Sequence, residues 1–120
     1  MPSSPSPVRG DVVRVRLDPT QGSEQAGERP ALVVSPTLIN EHSPVILVAA
    51  ITSRRTDRVY PFEAGLQPPE GGLTQPSKVL LMHLRSVDKR RVTGRYGAVS
   101  DETMRRVEAA LRVAVGLDRL

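Results

Sequence analysis

A chain of 120 residues and 13.1 kDa is long enough for one buried core and too short for two. With 38% hydrophobic residues, only 2% aromatic residues and no cysteine, the core must come from Val, Leu, Ile and Ala, and disulfides, thiolate metal sites and cysteine nucleophiles are excluded. A formal charge of +4, carried mostly by arginine, directs attention to phosphate-bearing partners. The composition also offers no apolar run of membrane-spanning length and no secretory h-region, so a cytoplasmic protein with no membrane association is expected.

Along the chain, "MPSSPSPV" alternates proline with serine and is expected to be a disordered tail over residues 1–8, leaving 9–120 as a single domain. "GDVVRVRL" sets Val13, Val15 and Leu17 against Arg14 and Arg16, the period of a half-buried strand. "DPTQGSEQAGERP", residues 18–30, carries glycine hinges and almost no apolar side chain, and predicts a long mobile loop. "ALVVS" and "VILVAAIT" are apolar runs of strand length, separated by "PTLINEHSP", which has room for one helical turn. With the first strand they form the expected centre of a sheet.

"RVYPFEA" predicts a further strand that Pro61 confines to an edge or bulge, and "GLQPPEGGLTQPS" a second loop. "KVLLMHLRSVD" resumes a strand, "DKRRVTG" turns, and "RYGAV" closes the sheet. The period then changes. In "SDETMRRVEAALRVAVGL", Met104, Val107, Leu111 and Ala114 fall at helical spacing behind Ser100 as N-cap, with Asp101 and Glu102 at the positive end of the dipole.

The chemistry-bearing residues are few. HExxH, Walker-type, GxSxG and His-carboxylate metal patterns are all absent, so no metal or cofactor is expected. His42 and His83 suggest a two-histidine ribonuclease, but their settings in a turn and an apolar strand favour structural roles. Arg29, restrained by Pro30 at a strand entry, is suited to clamping a phosphate, and Thr52 and Ser53 end the next strand with hydroxyls at a sheet edge. An ion pair of Arg29 with Glu24 or Glu28, and a turn capped by Thr52, are the competing structural readings. Two basic clusters, Arg54, Arg55 and Arg58, and Lys78, Arg85, Lys89, Arg90, Arg91 and Arg95, would form one stripe if their strands are neighbours; a solvated turn explains "DKRR" almost as well.

The ordered series "RGDVVRVRLDPTQGSEQAGERPALVVSPTLIN", "AAITS", "LRSVDKRRV" and "SDETMRRVEAAL" resembles the MazF/PemK toxins, sequence-specific endoribonucleases of bacterial toxin-antitoxin pairs. The resemblance covers about residues 9 to 117. It implies a mainly β fold, a small SH3-like β-barrel with a C-terminal helix, assembled as a homodimer. It also implies cleavage of single-stranded RNA, as in mRNA, without a metal, by 2'-hydroxyl attack that leaves a 2',3'-cyclic phosphate and a 5'-hydroxyl end.

Carried onto this chain, the resemblance makes Arg29 and Thr52 catalytic, with Glu24 as the candidate general base and Gln25 beside the substrate. Ser53, Arg54, Lys78 and Arg85 are the further substrate-binding candidates. A MazE-like antitoxin would cover the basic groove. Only Tyr60, Phe62 and Tyr96 offer flat surfaces for stacking on bases. Two rivals are a gyrase poison resembling CcdB, which the tryptophan-free ending "GLDRL" argues against, and a noncatalytic RNA-binding module.

Overall fold

The computed structural model describes residues 6–16 and 27–119. The sequence expectations for most of the N-terminal tail and for residues 17–26, including Glu24 and Gln25, therefore lie outside the described residues. Six strands form one antiparallel sheet: β1 (Asp11–Arg16), β2 (Glu28–Val33), β3 (Val45–Thr52), β4 (Glu63–Leu66), β5 (Ser77–Asp88) and β6 (Val92–Ala98), in spatial order β4-β5-β3-β2-β1-β6. A short helix α1 (Thr37–His42) links β2 to β3, and α2 (Asp101–Ala114) closes the chain.

Alternation along β1 sends Val13 and Val15 to one face, where they pack with Ala31, Val33, Ile46, Val48 and Val87. Val12 points the other way, into a second cluster with Leu32, Ile51, Leu66, Val79, Leu81 and the buried stripe Met104, Val107 and Ala110 of α2. That helix follows its sequence signals: the Ser100 side chain accepts from the Thr103 N–H at 3.1 Å. The core is thus two apolar layers on opposite faces of one sheet, assembled almost entirely from aliphatic residues.

Boundaries depart from the sequence expectation in three places. β2 starts at Glu28, so Arg29 and Pro30 are strand residues, not the end of a loop; pairing of Val15 with Arg29 and Arg14 with Pro30 extends the ladder that far. Val59–Phe62 is not strand, and β4 begins only after Pro61, whose ring removes a ladder donor. Met82, in the apolar run of β5, is nonetheless 66% exposed. It lies where the β3–β5 register jumps from Ala49↔Leu84 to Ala50↔Leu80, leaving Leu81, Met82 and His83 as extra residues on β5.

Two local devices hold the sheet end that begins β5. One is an ion pair: Lys78 Nζ lies 2.8 Å from Glu63 Oε1 and donates to the Arg58 carbonyl at 2.9 Å, with side chains only 6% and 10% exposed for Lys78 and Glu63. Desolvation raises the Glu63 pKa, but hydrogen bonds from Lys78 and the Tyr60 N–H, with the charges of Lys78 and His83, outweigh it and bring the net value below the ordinary one. The other is Gly72, at φ +72°, where a Cβ would lie 2.0 Å from the Tyr96 carbonyl oxygen. The segment before β5 can lie this close to β6 only without a side chain there.

Two stability measurements check these devices. Gly72→Ala should lower the unfolding free energy by at least about 2 kcal/mol in urea titrations, because it combines overpacking with a left-handed backbone. Glu63→Gln should cost about 3 kcal/mol by stranding a buried ammonium. Because the folded pKa of Glu63 is depressed, the unfolded chain takes up that proton first. The stabilisation is therefore complete above about pH 4.3 and lost as pH falls through the lower folded value. Urea midpoints measured from pH 6 to pH 3 should fall less steeply for Glu63→Gln than for the parent.

Candidate active site

The sheet has one end where β2 begins, β3 stops and β5 begins. A cleft of about 340 Å³ opens there, lined by Arg29, Pro30, Ile51, Thr52, Ser53 and Arg54 on one side. Its other wall is the segment Gly72–Gln75 with Ser77 and Tyr96. Arg29 and Pro30, like Ile51 and Thr52, are sequence neighbours on alternate faces, so the cleft passes over the strand ends and is not confined to one face.

Register sets the geometry. Ala31 pairs with Ala50, Leu32 with Ala49 and Val33 with Val48. Continued by two residues, the same register sets Arg29 opposite Thr52, and Thr52 is itself the cross-strand partner of Lys78. Directly opposed side chains leave an antiparallel sheet on the same face. Arg29, Thr52 and Lys78 therefore form a row across three adjacent strands.

Each member of the row is differently committed. Thr52 Oγ1 accepts from the Arg54 N–H at 3.1 Å, so the turn-capping role is real. A hydroxyl that accepts still has its own proton to donate, and the cap fixes where that proton starts from. Glu28, one of the two ion-pair partners considered for Arg29, instead approaches Arg14 Nε at 3.3 Å. Strand alternation puts Glu28 and Arg29 on opposite faces, which separates those roles.

Lys78 requires a correction. Expected to meet substrate, it is buried and neutralised by Glu63, so it supports the site's frame. Arg85 is exposed on β5 opposite Val48, away from the residues that line the cleft. The expected basic stripe is also divided: besides Lys78, Arg95 pairs with Asp11 at 3.0 Å and Arg90 with Asp88 at 3.1 Å. Hydrogen bonds from the Arg90 side chain and backbone hold the Asp88 carboxyl down at about 2. The "DKRR" cluster is thus a self-capped turn.

His42 ends α1 and His83 lies in the β5 excursion; neither lines the cleft. Among the described residues no three His, Asp or Glu side chains converge as a metal-binding group. Sequence reasoning singled out Tyr96 as a stacking surface but missed the segment Gly72–Gln75 beside it. The only signal of that segment was the Gly71-Gly72 pair, which composition reads as an ordinary turn. What the cleft offers chemically is the guanidinium groups of Arg29 and Arg54 and the hydroxyls of Thr52, Ser53, Thr74, Ser77 and Tyr96, groups suited to phosphate oxygens.

Comparison with known proteins agrees with this arrangement. Residues 8–115 match the family model described as PemK-like, MazF-like toxin of type II toxin-antitoxin system. A curated relative, Endoribonuclease MazF of Staphylococcus saprophyticus, is 36% identical over 109 residues, 91% of each chain. Among solved structures, MazE-MazF from Deinococcus radiodurans gives a TM-score of 0.78 at 31% identity, covering 96% of this chain and 100% of that one. A mycobacterial endoribonuclease in complex with its cognate antitoxin gives 0.78 at 26% identity, with the same coverage. A cleft of this chemistry on this sheet, in a chain matched over nearly its whole length, places the protein in the PemK-like, MazF-like toxin family of type II toxin-antitoxin systems.

Proposed function

We propose that this chain is a sequence-specific endoribonuclease toxin that cuts single-stranded RNA without a metal. The observation that carries the reading is the meeting of Arg29 and Thr52 in one cleft at the sheet end. The Staphylococcus saprophyticus relative is named an endoribonuclease, which supports the activity. The antitoxin complexes among the solved relatives support neutralisation by a MazE-like partner. A homodimer working in the cytoplasm completes the proposal.

In the proposed reaction the 2'-hydroxyl attacks the adjacent phosphorus while the bond to the 5'-oxygen breaks, giving a 2',3'-cyclic phosphate and a 5'-hydroxyl end. Negative charge grows on the phosphoryl oxygens as the fifth bond forms. A guanidinium is suited to that moment: it is planar, presents forked donors and keeps its charge, which also makes it a poor base. Arg29 therefore stabilises the charged phosphoryl oxygens and gives a proton only to the strongly basic leaving 5'-oxygen, recovering it from solvent afterwards, while Thr52 donates to a phosphate oxygen. Glu24 is the proposed acceptor of the 2'-hydroxyl proton. Ser53 and Arg54 extend the contacts along the backbone, with Gln25 at the bases.

The purified chain in EDTA should cut an end-labelled, mixed-sequence RNA at defined sites, leaving cyclic phosphate ends. Arg29→Ala and Thr52→Ala should each lower kcat by roughly a hundredfold to a thousandfold, the usual cost of one preorganised donor. Glu24→Gln should lose the acidic limb of the pH-rate profile. Intact RNA across long and varied substrates would refute the nuclease, and RNA binding without cleavage would favour a binding module.

A further inference from the structure

Of the three aromatic side chains in the protein, two are stacked on each other: Tyr60 and Phe62 lie with ring centroids 5.4 Å apart and planes within 3°. Their surroundings are unusual for a core. Tyr60 is 42% exposed, and the residues around it are charged. The Arg58 guanidinium stands 5.8 Å from the Tyr60 ring centroid and donates to its hydroxyl at 3.1 Å, and Lys78 Nζ stands 5.9 Å from the same centroid. The backbone there is fastened by Glu63, which accepts from the Tyr60 N–H at 3.1 Å and pairs with Lys78.

This cluster is linked to the cleft through the β3–β5 ladder. Lys78 is the cross-strand partner of Thr52, so the ammonium beneath Tyr60 belongs to the row that begins with Arg29 and Thr52. The connection that carries the stack starts in the cleft, at Ser53 and Arg54, and ends where β4 begins. The chain runs from the cleft lining at Arg54 to Tyr60 in six residues, passing Arg58 on the way.

We propose that Tyr60, backed by Phe62 and flanked by Arg58, is a stacking subsite for a base of the RNA strand next to the cleaved linkage. The proposal rests on the endoribonuclease reading above and adds a residue-level subsite to it. Stacking is the fitting chemistry because a base presents a flat face, as does the guanidinium plane, and neither needs a buried pocket. Lys78 and Glu63 are positioning residues here. Their buried pair fixes the 58–63 segment against β5, so the ring is presented with little freedom left to lose on binding. Phe62, stacked on the ring at 5.4 Å, adds to the same flat surface.

The test uses random-sequence single-stranded RNA, with cut sites read by sequencing, and short RNAs carrying the favoured cut site with single bases removed to leave abasic positions. Tyr60→Leu should raise KM for the intact short RNA by roughly five- to a hundredfold, the range for one lost base-aromatic contact, with a much smaller change in kcat. It should also flatten base preference at one position beside the cut. Tyr60→Phe should restore both, since the ring carries the contact. One abasic position should cost the parent enzyme affinity and cost Tyr60→Leu nothing further.

If the parent cuts but Tyr60→Leu leaves KM and the cut-site profile unchanged while circular dichroism shows a folded chain, the subsite is overturned and the nuclease reading stands. Weakened self-association of Tyr60→Leu in light scattering, with unchanged RNA affinity, would assign the stack to a protein interface and likewise overturn it. If the parent cuts no RNA and short RNAs bind parent and variant alike, both readings fall together.

Discussion

The antiparallel register across β2, β3 and β5 is the constraint on which the rest of the molecule depends. Side chains alternate with a period of two, so a slip of one residue in β2 would carry Val33 and Ala31 out of one apolar layer and turn Arg29 to the opposite face. Each buried valine is worth about 1.5–3 kcal/mol against exposure, so the slipped sheet would forfeit several such contributions at once. Nothing about the cleft itself has to be strong for the cleft to be accurate. Aliphatic burial in the middle of the strands sets the positions of Arg29 and Thr52 at their ends.

That dependence explains which parts of the protein could be read from its sequence. The alternation in β1 and the change of period at Ser100 are local signals of burial, and they gave the mainly β architecture and the capped C-terminal helix. That Arg29 and Thr52 stand at strand ends was legible for the same reason, since both abut apolar runs whose strand character is plain, and the structure brings them to one cleft. Lys78 was misread because a cation before an apolar run looks available until its partner is known, and Glu63 is brought beside it only by the β4–β5 ladder. The Gly72–Gln75 wall escaped notice because close approach of two backbones leaves no trace in composition beyond a glycine. Glu24 and Gln25 came from the loop, where the family resemblance and not the strand pattern carried the assignment.

Net charge was a weaker guide than its pairing. Of the six cations between residues 78 and 95, Lys78, Arg90 and Arg95 face carboxylates at 2.8, 3.1 and 3.0 Å. Arg90 and Asp88 are neighbours on one exposed turn, and such a pair contributes little to stability while removing a charge from any phosphate-binding surface. Lys78 and Glu63 are different in kind. Their pair is buried, so the cost of desolvating both is offset only while each retains the other, and the segment between Arg58 and Glu63 is held as a consequence.

Thr52 shows how closely folding and chemistry are joined at the sheet end. Its oxygen caps the turn that stops β3, accepting from the Arg54 N–H, and this fixes the hydroxyl at the edge of the cleft. The same cap directs the chain into the connection that returns through Arg58 and Tyr60. A threonine is suited to both duties because its β-branched carbon favours the strand it terminates and restricts the rotamers its hydroxyl can visit. Alanine there would remove a hydroxyl from the cleft and loosen the turn together. Serine would keep the hydroxyl but widen the rotamers open to it, so the methyl group contributes to how firmly the cap, and with it the cleft edge, is set.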